Sequence, residues 1–194
     1  MKNLAIFASG GGSNARAIIN YFAKEASEIR VTLIVSNKKD AGVLSIAQEN
    51  GIAAIVIDKT TFYETTVLLD ELKASNIEYI VLAGFLWLIP AYLVDNYDKR
   101  MLNIHPALLP KFGGKGMYGH HVHEAVKAAG EIESGPTIHW VTKNYDEGTI
   151  VFQAKTGLAP SDSPVEIARK VLELEHKHFP KVIEQVVLGL SVVG

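Results

Sequence analysis

A chain of 194 residues with 48% hydrophobic and 21% charged residues has the composition of an ordinary globular protein, long enough for one well-filled core. Its formal net charge of −2 argues against a nucleic-acid-binding surface, and the lack of cysteine excludes disulfides, thiolate nucleophiles and cysteine-based metal sites. Met1 to Ser9 is too short for a secretory apolar segment and no apolar run reaches transmembrane length, so a soluble cytoplasmic protein of one domain, residues 1–194, is expected.

Leu4 to Ala8 reads as a short buried strand. Ser9-Gly10-Gly11-Gly12-Ser13-Asn14 follows, then a helical pattern with Ala17, Ile18, Tyr21 and Phe22 on one face. Strand, glycine loop and helix together make an anion site, because free backbone N–H groups and the positive dipole end meet at the helix start. Ser13 is placed to cap the helix or to donate. Gly10-x-Gly12-x-x-Ala15 formally fits a dinucleotide fingerprint, but the second strand, Val31 to Val35, ends in Ser36-Asn37 and two lysines rather than the acid that fingerprint wants. A Walker loop needs a lysine after Gly12, and Ser13 stands there. A monophosphate cradle or a plain tight turn remains.

Ala41 to Asn50 reads as a helix closed by Gly51 at C′. Ala53 to Ile57 is a third strand. Phe62 to Ser75 reads as one amphipathic helix carrying Val67, Leu68, Leu69 and Leu72, and Tyr79 to Ala83 as a central strand covered on both faces. This alternation argues for an α/β fold with a doubly wound, mostly parallel sheet and helices on both faces. Gly84 to Pro90 is unusually apolar for a loop. Core packing is the plainer reading, preferred for Phe85; the alternative is one wall of a flat, aromatic-accepting pocket.

Met101 to His105 reads as a strand end. Asn103 and His105 then share a face, which sets a carboxamide beside an imidazole where open α/β sheets keep their ligand sites. The bland alternative is an Asn in a turn with a satisfied His. Pro106 and Pro110 bracket the turn that follows. Gly113, Gly114, Gly116 and Gly119 make a flexible surface segment. His120-His121-x-His123 has metal-ligand spacing, but no convincing carboxylate or cysteine is read as joining it; His121 and His123 are expected to start a helix on the rim of a cleft. Thr137 to Thr142 and Ile150 to Ala154 read as a hairpin, an antiparallel extension near the C-terminal end. Asp146 in the intervening turn has, by itself, the commonest role of an Asp there. Ser163-Pro164-Val165-Glu166 is a capping box with Pro at the first helical position, and the helix runs to about Leu188. Ala168, Val171 and Leu172 form its buried stripe, and Glu175 falls on that stripe, so its carboxylate needs a partner.

Asn103-Ile104-His105-Pro106-Ala107-Leu108-Leu109-Pro110 resembles the signature of the formyltetrahydrofolate-dependent formyltransferases. The resemblance runs from Leu4 to about Ile183 and includes Leu82-Ala83-Gly84-Phe85 and Asp146. Gly-Gly-Gly-Ser-Asn near the N-terminus is similar to the branch that acts on glycinamide ribonucleotide. The resemblance implies a Rossmann-like formyltransferase fold that passes the formyl group of 10-formyltetrahydrofolate to the ribonucleotide's amine. It implies Asn103, His105 and Asp146 as catalytic residues, Asp146 raising the pKa of His105. Gly11, Gly12, Ser13, Asn14, Pro106 and Glu175 would hold the ribonucleotide, Glu175 through the ribose hydroxyls. Leu86, Trp87, Leu88, Ile89, Asn103, Val141 and Asn144 would line the folate site, largely through backbone. Many relatives have Arg where Trp87 stands, so any polar contact from that side chain is lost. Thr65-Thr66 occupies a place where some relatives set a basic side chain near the folate tail. No metal is implied; the partners are small molecules, and the chain is a monomer or homodimer. The rivals are a formyltetrahydrofolate deformylase, a formyltransferase for another amine, and a nucleotide-binding module without chemistry.

Overall fold

The computed structural model describes residues 1–23 and 27–192. In chain order the elements are β1 (Lys2–Phe7), α1 (Ser13–Phe22), β2 (Ile29–Ser36), α2 (Gly42–Glu49), β3 (Ala53–Val56), α3 (Lys59–Glu64), α4 (Val67–Ala74), β4 (Tyr79–Leu82), α5 (Ala91–Asn96), β5 (Met101–His105), α6 (His120–Ala128), β6 (Glu133–Ser134), β7 (Thr137–Trp140), β8 (Ile150–Gln153), β9 (Thr156–Gly157) and α7 (Pro164–Val187). Seven strands form a mostly parallel sheet in the order β3-β2-β1-β4-β5-β7-β8, and β6 pairs antiparallel with β9 in a small second sheet. The chain clusters into two compact units, Met1–Leu102 and Asn103–Gly194. Among the described residues no helix is long and apolar enough to cross a membrane.

In the first unit β1 pairs in parallel with β2 on one side and β4 on the other, and β2 with β3. The strand order therefore reverses at β1, the doubly wound pattern, and the carboxyl ends of β1 and β4 flank the crevice where such sheets take ligands. Phe7, Ile18, Leu33, Ile34, Phe62, Leu68, Leu72 and Ile80 are fully buried. α1 packs through Ala15, Ile18, Ile19 and Phe22, so its stripe is centred one position away from Ala17 and Tyr21. Gly51, at φ +64°, follows the C-cap of α2 as expected.

The single helix expected over Phe62 to Ser75 is two helices. Thr65 sits at φ −132°, ψ 170°, and its hydroxyl donates to the Thr61 carbonyl at 2.8 Å. A β-branched residue whose oxygen competes for the helix's own backbone ends α3 there. The true start lies earlier, where Asp58 caps α3 by accepting from Thr61 N at 2.8 Å.

In the second unit β7 and β8 pair antiparallel, as the hairpin reading requires, with β7 ending at Trp140 rather than Thr142. Ser163 and Glu166 close their capping box, with Glu166 Oε2 accepting from Ser163 N at 2.7 Å and Ser163 Oγ from Glu166 N at 3.3 Å. α7 buries Ile167, Val171, Glu175 and Phe179, whereas Leu172 is exposed and Ala168 half-buried. The stripe follows Ile167 to Val171 at i, i+4, which turns the 168 and 172 positions outward. Glu175 lies on it as predicted and has interaction partners there.

Candidate active site

The glycine loop lies in the first unit. α1 begins at Ser13, and its N-cap is Gly12 at φ +80° with no side-chain cap, so Ser13 does not cap the helix. A Cβ on Gly12 would stand 2.9 Å from Val43 Cβ and from Ile46 Cδ1, and only glycine takes both that contact and that φ without strain. The loop is braced on α2 by Val43 N donating to the Gly10 carbonyl at 3.1 Å. An uncapped helix start leaves N–H donors and the positive dipole end for an anion.

The segment after β4 is tied to this loop: Leu86 N donates to the buried Ser9 Oγ at 3.0 Å, and Ser9 N to the Gly84 carbonyl at 3.0 Å. Phe85 meets Phe7 and Phe62 edge to face, with centroids 5.5 and 5.6 Å apart, which is the core role expected for it. Trp87 packs on Phe62 and Tyr63, and Tyr63 Oη donates to the Leu88 carbonyl at 3.1 Å. Leu86, Trp87 and Leu88 are half-buried and Ile89 is buried. Of the backbone groups here, the Leu86 N–H and Leu88 carbonyl are already used within the protein.

Asn103 and His105, two apart on β5, both reach the carboxylate of Asp146. Asn103 Nδ2 donates to Asp146 Oδ1 at 3.3 Å, and His105 Nδ1 lies 3.5 Å from Asp146 Oδ2. His105 Nε2 is 2.7 Å from the Phe112 carbonyl, which can only accept, so that nitrogen carries a hydrogen and Nδ1 is the one that gains or loses a proton. Asp146 stands at φ +55°, in the left-handed region that Asp tolerates, and takes a further hydrogen bond from Gly114 N at 2.9 Å. Register thus selects Asp146 over Glu147, whose exposed carboxylate accepts from Asn144 Nδ2 at 2.8 Å.

Electrostatics corrects one expectation. Asp146 does raise the proton affinity of His105, but burial opposes it and wins, so the pKa of His105 lies below the usual histidine value. Burial alone would raise Asp146. The hydrogen bond with His139, the charge of His105 and the Gly114 N–H outweigh it and hold that carboxyl below the usual range.

Sequence reasoning missed a fourth member. His139 Nδ1 lies 2.9 Å from the Trp140 carbonyl, while Nε2 lies 3.0 Å from Asn103 Nδ2 and 3.4 Å from Asp146 Oδ1. Its signal was period-two placement with Thr137 on β7, facing the same way as that residue. Thr137 and Gln153 were missed too. Thr137 Oγ1 donates to the Ala107 carbonyl at 2.6 Å and accepts from Leu109 N at 3.0 Å and Gln153 Nε2 at 2.8 Å. This buried clasp fixes the turn after His105 from behind.

A profile described as Formyl transferase matches residues 2–183. The chain belongs to the formyl transferase family. It is 33% identical to the phosphoribosylglycinamide formyltransferase of Bacillus subtilis (strain 168), covering 100% of this chain and 98% of that protein. It is 44% identical to the chloroplastic phosphoribosylglycinamide formyltransferase of Arabidopsis thaliana over 94% of this chain; it spans 64% of that protein's length and 60% of the Vigna unguiculata counterpart's. The crystal structure of glycinamide ribonucleotide transformylase 1 from Symbiobacterium toebii superposes with a TM-score of 0.89 at 29% identity, covering 100% of this chain and 91% of that one.

Asn103, His105 and Asp146 come together, while the residues that the resemblance implies for the ribonucleotide are divided in sequence between the units. Gly11 to Asn14 belong to the first, and half-buried Pro106 and buried Glu175 to the second. Val141 is half-buried just past β7, and Asn144 is exposed. The histidine run opens α6 as expected, but its members diverge. His123 is buried, its Nδ1 without a hydrogen-bond partner, and burial, with His105 second, lowers its pKa. His120 and His121 are exposed, and a carboxylate does join them: Glu124, one turn on.

Proposed function

We propose that this chain transfers the formyl group of 10-formyltetrahydrofolate to the primary amine of glycinamide ribonucleotide. The observation that carries this reading is the meeting of Asn103, His105 and Asp146 on one carboxylate. The names of the relatives support the acceptor, and the uncapped loop at Gly12 supports a phosphate-bearing one. Gly11 to Asn14 bind the phosphate side, with Pro106 and Glu175 also on the ribonucleotide. Leu86 to Ile89, Val141 and Asn144 line the folate site through the backbone groups still available.

The amine nitrogen attacks the formyl carbon, and negative charge gathers on the formyl oxygen. Asn103 moves one N–H from Asp146, its longer contact at 3.3 Å, to that oxygen. His105 is largely neutral before substrate arrives, because its pKa is lowered; as negative charge develops on the formyl oxygen it takes a proton from solvent at Nδ1, and it returns that proton to solvent when the intermediate collapses. The tetrahedral intermediate collapses by breaking the bond to folate N10. The proton lost by the amine passes through Asp146, or a water on it, to that nitrogen. No covalent enzyme intermediate and no metal enter these steps, and the partners are small molecules. The setting is cytoplasmic, and the protein acts as a monomer or homodimer.

The test is release of tetrahydrofolate, followed by absorbance, with 10-formyltetrahydrofolate alone and with glycinamide ribonucleotide added. Turnover that depends on the ribonucleotide is the expected result. Equal turnover in water alone would make the chain a deformylase, and turnover only with another amine would keep the chemistry and change the acceptor.

A further inference from the structure

The histidines at the start of α6 are not used by the proposed reaction. His120, His121 and Glu124 each offer one ligand atom, and these atoms lie within 4.8 Å of one another. His120 and Glu124 are i, i+4 on the helix, and His121 and Glu124 are i, i+3, spacings that place side chains on one helical face. The two imidazole rings lie 4.0 Å apart, tilted by 41°, and Tyr118 packs edge-on against His121 at 5.6 Å.

We propose that His120, His121 and Glu124 form a binding site for a borderline divalent transition-metal cation of the zinc class. Donors about 2.0–2.1 Å from a tetrahedral Zn²⁺ stand roughly 3.3–3.5 Å from one another. His121 Nδ1 and Glu124 Oε2 are already 3.5 Å apart, on that edge. Side-chain rotation of the exposed His120 brings the third donor in, and water fills the remaining positions. Two imidazoles select this class over Mg²⁺ and Ca²⁺, which take all-oxygen sets. His123, two residues on, is turned into the protein and is not a ligand. A bound ion fixes the C-terminal end of the Gly113–Gly119 segment, whose other end gives the Gly114 N–H to Asp146.

The plain alternative is a surface ion pair between His121 and Glu124, and the experiment separates the two without reference to turnover. Chelator-treated protein is titrated with Zn²⁺ by calorimetry and with Co²⁺ by visible absorption. One ion per chain is expected, with a tetrahedral-type Co²⁺ spectrum and no displacement by Mg²⁺. Losing a ligand costs at least the roughly 10–100-fold seen for outer-shell partners. His121→Ala and Glu124→Gln should each weaken binding by that much. Both side chains are about half exposed, so the variants should keep the wild-type circular dichroism spectrum. No binding by the wild-type chain, or wild-type affinity in both folded variants, would overturn the proposal.

Discussion

Asp146→Asn isolates the charge at the centre of the site while keeping its shape. Asn tolerates φ +55° as Asp does, and its oxygen can still accept from Gly114 N, so the backbone has no reason to move; its Nδ2 then takes the place of the oxygen that accepted from Asn103 Nδ2, and that hydrogen bond is lost with the charge. What is lost is a negative charge 3.5 Å from His105 Nδ1. With an effective dielectric near 20, that pair has a Coulomb energy bounded at about 5 kcal/mol, and an opposite charge at such range moves a pKa by about 1–3 units. The imidazolium population at neutral pH, already depressed by burial, should then fall by a further ~10–1000-fold. Loss of the proton path through the carboxylate adds to this, so kcat should drop by ~100–10,000-fold, the span of general acid–base catalysis. KM for both substrates should stay within about threefold, because neither binding set includes this carboxylate's charge. Tetrahydrofolate release gives the rates. An NMR titration of His105 in the free protein gives the pKa, which should move further down. A variant with kcat within tenfold of wild type and an unmoved His105 titration would refute the reasoning.

Three further outcomes follow from the same structure. Gly12→Ala forces a Cβ to 2.9 Å from Val43 and Ile46 at φ +80°, so we expect ribonucleotide KM to rise at least tenfold and stability to fall by about 1–3 kcal/mol; an unchanged KM would remove the loop from the binding site. Thr137→Val strips the clasp of its hydroxyl and leaves Leu109 N and the Ala107 carbonyl unpaired in a buried place, costing about 1–3 kcal/mol in urea unfolding, with kcat falling as the turn loosens; an unaffected midpoint would contradict this. His105 and His123 have folded pKa values below the histidine value of 6.5 because burial disfavours their charged forms. The unfolded chain therefore binds more protons just below pH 6.5, and stability should be flat above it, then fall as pH drops toward the folded values. Asp146 extends the loss below pH 3.8. Urea midpoints that do not change between pH 8 and pH 5 would count against the burial argument.

Much of this was legible from local pattern. Period two set Asn103 beside His105, and the strand–helix alternation carried the parallel sheet. The capping box at Ser163 and the glycine after α2 marked helix ends that the structure keeps. Less legible were features set by tertiary partners. Thr65 breaks a helix whose apolar pattern continues past it, because one hydroxyl found a nearer carbonyl. His139 joins the site only through atoms that β5 and the hairpin bring within 3.0–3.4 Å. The direction of the His105 shift depended on how deeply the ring is buried, a quantity no motif encodes. The separation of His123 from His121, two residues apart on α6 and so on opposite faces of the helix, follows from helical rather than strand geometry across the histidine run.

Gly148 shows how a residue can be fixed by a site without taking part in it. A Cβ there would fall 1.6 Å from the Trp140 carbonyl oxygen and 3.3 Å from His139 Nδ1. At this position the hairpin turn has no room for a side chain, and opening it would push away the carbonyl against which the His139 ring is set. That ring in turn touches Asn103 and Asp146. Selection for turnover would therefore be felt at a position that meets no reactant. In a family-wide comparison of sequences, an invariant glycine two places after the carboxylate would record this steric limit, and counting it among the reacting groups would mistake the mould for the casting.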